Sequence, residues 1–294
     1  MIIKPFFSLI MITSSQYIAM VTFAILGIII PCLLSVLINK KYMKTKLWPF
    51  FAGAGTFILF VIILEKLMHL YFLKTNVYTK SLLENPWIYA TYGCMAASLF
   101  EETGRLIVFK FILKKYRSPS DGIAYGLGHG GIEFLLIGGI GAVSVLVMAV
   151  LINHGGLEAM LGVKNVPAEK IKDIKDSILS IDFRNVMMGL FERCMALMIQ
   201  FGMTMMVFYG VVRGKYKYYF FAVLFHASVD FPAALAQKGI ISPVWIVELI
   251  IIPFAIAGIL IARNLFKKLK AIEKLVSAPL TSVENNTNNS TNSM

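Results

Sequence analysis

The chain has 294 residues, is 58% hydrophobic and only 15% charged, and carries a formal net charge of +12. Soluble domains hold about 25% charged residues, so this composition excludes a soluble fold with one anchor and points to a polytopic membrane protein. Cys32, Cys94 and Cys194 are odd in number and lie in apolar stretches, which argues for free thiols rather than a disulfide framework.

Windows of about 20 apolar residues cross a bilayer as helices. Seven are predicted, over 16–38, 48–70, 87–109, 121–152, 186–211, 218–236 and 243–264. The fourth is long enough to be tilted, kinked or split. Strand-like alternation is absent, and lipid permits little besides helices and closed barrels. The expected fold is all-α: a membrane helix bundle of about seven spans. No charged n-region or cleavage site precedes the first span, so no cleaved signal peptide is expected, and residues 1–12 are expected at the interface at most.

Basic residues collect in alternate loops: Lys40, Lys41, Lys44 and Lys46 after span one, Lys110, Lys114, Lys115 and Arg117 after span three, and Arg213, Lys215 and Lys217 after span five. Arg263, Lys267, Lys268 and Lys270 follow span seven. The positive-inside rule makes that side cytoplasmic, with the N-terminus outside and the C-terminus in the cytoplasm. The +12 charge then reflects topology, and no nucleic-acid partner is expected. Segment 154–185 mixes charges and places Ile171, Ile174 and Ile178 at helical spacing. An amphipathic helix on the outer surface is predicted there, with a lid over the site as the functional alternative. Residues 1–265 read as one transmembrane domain with a core at about 87–236. Residues 266–294 read as a cytoplasmic polar tail whose Asn-rich end is low in complexity.

Ionisable residues at membrane depth are costly and by default functional. Span three holds Glu101, Glu102 and Arg105, in the pattern Glu-Glu-Thr-Gly-Arg, and helical spacing lets Arg105 reach either carboxylate. Span four places Tyr125, His129 and Glu133 on one stripe, with Gly126, Gly128, Gly130 and Gly131 allowing close approach of another backbone or a substrate. Span six pairs His226 with Asp230, and Pro232 just beyond is expected to kink or end that helix. Counted from the basic loops at 1.5 Å per residue, all three clusters lie roughly 12–14 Å deep. One shared site, reached from the cytoplasmic half of the bilayer, is the expectation. Glu192 and Arg193 are adjacent, do not face each other on an ideal helix, and are assigned a supporting role. Glu65, Lys66 and His69 are read as interfacial.

Two carboxylates and two histidines permit water-activated hydrolysis, zinc-assisted hydrolysis with His129, His226, Glu101 and Asp230 as ligands, or proton-coupled transport. A non-catalytic scaffold predicts complete pairing with no cavity. No His-Glu-x-x-His, Gly-x-Ser-x-Gly, Walker or dinucleotide motif is present.

The ordered set Glu-Glu-x-x-Arg, an aromatic four before His, and His-x-x-x-Asp resembles the CAAX-protease and bacteriocin-processing (CPBP/ABI) superfamily, closest to its YhfC and PrsW-like branch of bacterial intramembrane proteases. The Gly-His-Gly-Gly-Ile-Glu around His129 is similar to YhfC-like proteins in particular. The likeness covers roughly 87–236. It departs from the superfamily's usual pattern in having two residues between the glutamates and Arg105, Tyr125 in place of Phe, and Asp230 in place of Asn. The resemblance implies an intramembrane endopeptidase in a bacterial plasma membrane, acting on membrane-associated protein or peptide substrates. It implies that Glu101 and His129 activate water, that Glu102 and Arg105 orient and balance charge, and that His226 and Asp230 line the oxyanion side. A metal-free, glutamate-type mechanism is implied, so no cofactor is expected; zinc is the alternative that Asp230 keeps open.

Overall fold

The computed structural model describes residues 11–38, 47–162, 166–243 and 245–276. Ten helical elements follow one another: α1 (Ser14–Ile38), α2 (Leu47–Thr75), α3 (Val77–Leu82), α4 (Pro86–Ile107), α5 (Pro119–Asn153), α6 (Leu157–Gly162), α7 (Ala168–Leu179), α8 (Phe183–Arg213), α9 (Lys217–Gln237) and α10 (Trp245–Val276). There is no strand among the described residues. Six of these helices, α1, α2, α5, α8, α9 and α10, are long and apolar enough to cross a membrane, so this is a multi-pass helical membrane protein. The expected third span is α4, continued by a π-helical turn over Val108–Ile112. It is less apolar because it carries Glu101, Glu102, Arg105 and Lys110. The first three are buried.

Local chemistry explains where the helices start and stop. The Asn85 side chain accepts hydrogen bonds from the N–H groups of Trp87 and Ile88, and Pro86 opens the first turn of α4, a position that needs no donor. Asp121 reaches back to the Ser118 N–H at 2.9 Å to start α5. Gly214, with φ near +63°, ends α8 in the left-handed conformation that glycine adopts without strain. The long fourth span is not split: a π-helical stretch over Phe134–Ile140 carries it through. Pro232 does not end α9, which runs on to Gln237. In a membrane bundle, packed neighbours compensate for the missing donor.

Small residues set the helix crossings, as expected where lipid supplies no hydrophobic drive between helices. A methyl on Gly53 of α2 would lie 2.2 Å from the Tyr125 carbonyl oxygen, and one on Gly128 of α5 would lie 1.9 Å from the Phe50 carbonyl oxygen. The glycines around His129 thus admit the backbone of α2. Gly202 and Gly258 bring α8 and α10 together in the same way.

The helix ends sort into two layers. Lys110 Nζ lies 5.2 Å from the Tyr216 ring centroid, which joins the end of α4 to the start of α9 and gathers Lys110, Lys114, Lys115, Arg117, Arg213, Lys215 and Lys217 at one end. Lys40, Lys41, Lys44 and Lys46 lie outside the described residues, as does the Asn-rich tail. The opposite end holds Tyr89, whose hydroxyl is 3.0 Å from Gln237 Oε1, and the amphipathic α7. Ile171 and Ile178 of α7 are buried against Ile12, Met20, Ala149 and Ile152. Gln16 Nε2 donates to the Leu179 carbonyl at 2.6 Å, tying α7 to the start of α1.

Candidate active site

Helices α4, α5, α8 and α9 bring every predicted site residue into or against one network. Arg105 is fully buried; it donates through Nη1 to Glu102 Oε1 and through Nη2 to Gln200 Oε1 and, at 3.0 Å, to Glu101 Oε2. It therefore holds both carboxylates, where spacing alone left the choice open. His129 Nε2 lies 3.0 Å from the same Glu101 Oε2, and Gln200 Nε2 donates to it at 3.2 Å. Three side-chain nitrogens thus converge on one oxygen. Oε1 of Glu101 takes no hydrogen bond among the described residues.

Glu102 differs from its neighbour. It has no exposed surface, and its Oε1 faces both Arg105 and His226 Nδ1, the latter at 2.9 Å. The second nitrogen of His226, Nε2, is 3.2 Å from Asp230 Oδ2. Both ring nitrogens face carboxylate oxygens, so with both carboxylates ionised the two hydrogen bonds form together only when both nitrogens carry protons. Tyr125 is buried against His129, its ring stacked at 6.1 Å, with Phe57 edge-on to the imidazole at 5.3 Å. These rings lock His129 in place. Glu133 accepts from Gln200 Nε2 at 2.6 Å and lies 3.5 Å from Arg193 Nη1. Arg193 also curls back to bond the adjacent Glu192. The ideal-helix argument against that pair fails because a long guanidinium can fold over its own turn.

A cavity of about 420 Å³ touches part of this network. Its wall includes Glu101, His226 and Asp230, with Gln200, Glu133 and Arg193 beside them. Neither Glu102 nor His129 lines it. Along α4 the lining runs from Tyr89 to Glu101 and stops; along α9 it begins at His226 and runs to Gln237. The cavity therefore extends from the carboxylate network toward the end opposite the basic loops. The expectation of access from the basic half is corrected by this lining: equal depth on three helices fixes a level and says nothing of which end opens. Along the same wall His69 bonds Tyr92 Oη at 2.7 Å and Glu65 Oε1 at 3.1 Å. Glu65 is buried and His69 lines the cavity, so these two are not simple interfacial side chains. None of the described residues of 154–185 lines the cavity, which leaves the lid alternative for α7 without support.

Sequence reasoning missed Gln200, which joins Arg105, Glu101 and Glu133. The only available signal is one neutral amide inside an apolar span. As arranged, the donor set does not fit a divalent metal. Among the described residues no three His, Cys, Asp or Glu side chains are grouped to hold one. Both nitrogens of His226 and Nε2 of His129 are engaged by carboxylates, and the Glu101 oxygen facing His129 already carries the Arg105 cation.

Fold and site together define a multi-pass membrane protein with a buried cluster of carboxylates, imidazoles and a guanidinium that borders a cavity. A profile of the family described as the YhfC intramembrane metalloproteases matches residues 24–251. The chain is 35% identical over 226 residues to the protein of Bacillus subtilis (strain 168) described as "Uncharacterized membrane protein YhfC", covering 77% of this chain and 87% of that one. The chain belongs to the YhfC family of membrane proteases. No solved structure matches it.

Proposed function

We propose that the chain is an intramembrane endopeptidase of the glutamate type, seated in a bacterial plasma membrane with its basic end in the cytoplasm and lipid around its apolar faces. Its substrate is a membrane-associated protein or peptide. The observation that carries this reading is the asymmetry of the two glutamates. Glu101 reaches the cavity with one oxygen held by three donors and the other free, whereas Glu102 is sealed behind it.

Glu101 Oε1 takes a proton from a cavity water, and the resulting hydroxide attacks the carbonyl carbon of the peptide bond. A positioned base contributes about 10²–10⁴-fold to such a step. Negative charge then develops on the carbonyl oxygen. His226 is the cavity-lining donor placed to meet it, with Asp230 yielding its hydrogen bond to Nε2. The C–N bond breaks as Glu101 returns its proton to the leaving nitrogen. Arg105, His129 and Gln200 hold the base, and Glu102 orients His226 through Nδ1.

The family's description as metalloproteases favours a second reading, a metal at this site, but the guanidinium between the glutamates and the pairing of the imidazoles speak for the first. The transporter alternative needs a route beyond the site, and the described cavity lining ends at Glu101 and His226.

Glu101→Gln and Glu102→Gln, introduced separately in cells, test the assignment through the protein termini of the membrane fraction. Glu101→Gln is expected to abolish a set of cleavage products, and Glu102→Gln to leave part of them. Identical cleavage patterns in parent and Glu101→Gln cells would overturn it.

A further inference from the structure

We infer that substrate reaches the site from the end of the bundle opposite the basic loops, so that the scissile segment is an extended stretch of chain exposed on the non-cytoplasmic side. The inference rests on the protease reading for its substrate, but its geometry stands apart. Three helices agree on direction. On α4 and α8 the lining uses only the portions up to Glu101 and Met203, and on α9 only the portion from His226 onward. In each helix these are the parts remote from Lys110, Arg213 and Lys217. From Glu101 to Tyr89 the wall extends about 18 Å at 1.5 Å per residue. It ends level with Trp87, which is 55% exposed, as aromatic side chains at a membrane interface are.

The opposite route is filled. Below Glu101, Phe109, Leu113, Tyr125 and Phe208 are fully buried; the Phe109 ring lies 4.3 Å from Tyr125 and 5.0 Å from Phe208. The Thr103 hydroxyl meets Tyr219 Oη at 2.9 Å on the same side. A volume of about 420 Å³ is of the size that admits a small ligand or a few extended residues and excludes a folded domain. The substrate class is therefore a loosely structured segment beside a membrane span on the outer face, or an exported peptide.

Sided labelling tests this without knowing the substrate. Cys32, Cys94 and Cys194 are replaced by serine in the full chain, and Ala97→Cys or Ala233→Cys is added on the cavity wall. Lys215→Cys and Lys238→Cys mark the two ends. A charged, membrane-impermeant methanethiosulfonate is applied to intact cells and to everted vesicles, and later mass-tagging by a maleimide reads which thiols were blocked. Ala97→Cys and Ala233→Cys are expected to react from outside with Lys238→Cys, while Lys215→Cys reacts only in everted vesicles. Reaction from the Lys215 side, no reaction of either cavity thiol from any side, or Lys215→Cys reacting in intact cells would each overturn the inference. The termini lost in Glu101→Gln cells give the second arm. Cleavage sites in cytoplasmic segments would overturn the sidedness and leave the protease reading intact, whereas outside labelling with no lost termini would do the reverse.

Discussion

Gln200→Leu is the substitution whose consequences follow most directly from the geometry. Gln200 is 4% exposed and connects three charged groups, accepting from Arg105 and donating to Glu101 at 3.2 Å and Glu133 at 2.6 Å. Leucine fills nearly the same volume, so little cavity is created. Glu101 keeps Arg105 and His129 on its Oε2, each at 3.0 Å. Arg105 keeps both glutamates. Glu133 loses its short contact and retains only Arg193 at 3.5 Å. One buried charged group left short of a hydrogen bond costs about 2–3 kcal/mol, and the loss of one of three donors should slow cleavage about tenfold through misplacement of the base. Thermal unfolding of the detergent-solubilised protein, followed by size-exclusion chromatography, reads the first quantity; the abundance of Glu101-dependent termini reads the second. Gln200→Glu should be worse than leucine, because it sets a third carboxylate against Glu101 and Glu133. A leucine variant as stable and as active as the parent, or a glutamate variant superior to leucine, would refute the assigned bonds.

Arg105→Met removes the one cation held between two buried glutamates and should cost about 3–5 kcal/mol, seen as loss of folded protein on extraction; Arg105→Lys, with one ammonium in place of a fork, should restore it only in part. Gly53→Ala and Gly55→Ala lie two residues apart on α2 and should behave oppositely. A methyl on Gly53 meets the Tyr125 carbonyl at 2.2 Å, whereas nothing lies within 4 Å at Gly55, so thermal unfolding should show a large loss for the first and a neutral effect or a gain of about 0.5–1 kcal/mol for the second. Cleavage by purified protein should survive prolonged dialysis against a strong chelator. Activity lost on chelation and regained with zinc alone would replace the glutamate reading with the metal one.

The parts of the site legible in the sequence are those that are costly in lipid. Glu101, Glu102, Arg105, His129 and His226 stand out because a charge or imidazole in an apolar span demands a reason, and their common level follows from counting inward from Lys110, Asp121 and Lys217. Gln200 was not legible, since a neutral amide costs far less there and belongs to no motif. Which glutamate faces open space was not legible from spacing, since helical geometry lets Arg105 reach both; the family resemblance implied Glu101 as the base, and the cavity wall includes Glu101 and not Glu102. The crossing of α2 over α5 was half legible. The glycines announced a close approach, but that the partner would be the Phe50 carbonyl depends on tertiary arrangement. Glu65 and His69 read as interfacial from position alone, although their bonds with each other and Tyr92 fold them inward.

The ring of His129 has one more consequence. Its Nε2 meets Glu101, but its Nδ1 is buried without a partner among the described residues. On the proposed mechanism His129 therefore has no onward acceptor at its back, and a proton captured by Glu101 finds no relay through this imidazole. The outlet in the proposed mechanism is the cavity face, onto the nitrogen of the departing peptide. An imidazole closed at its back in this way serves Glu101 as a fixed partner and not as a shuttle.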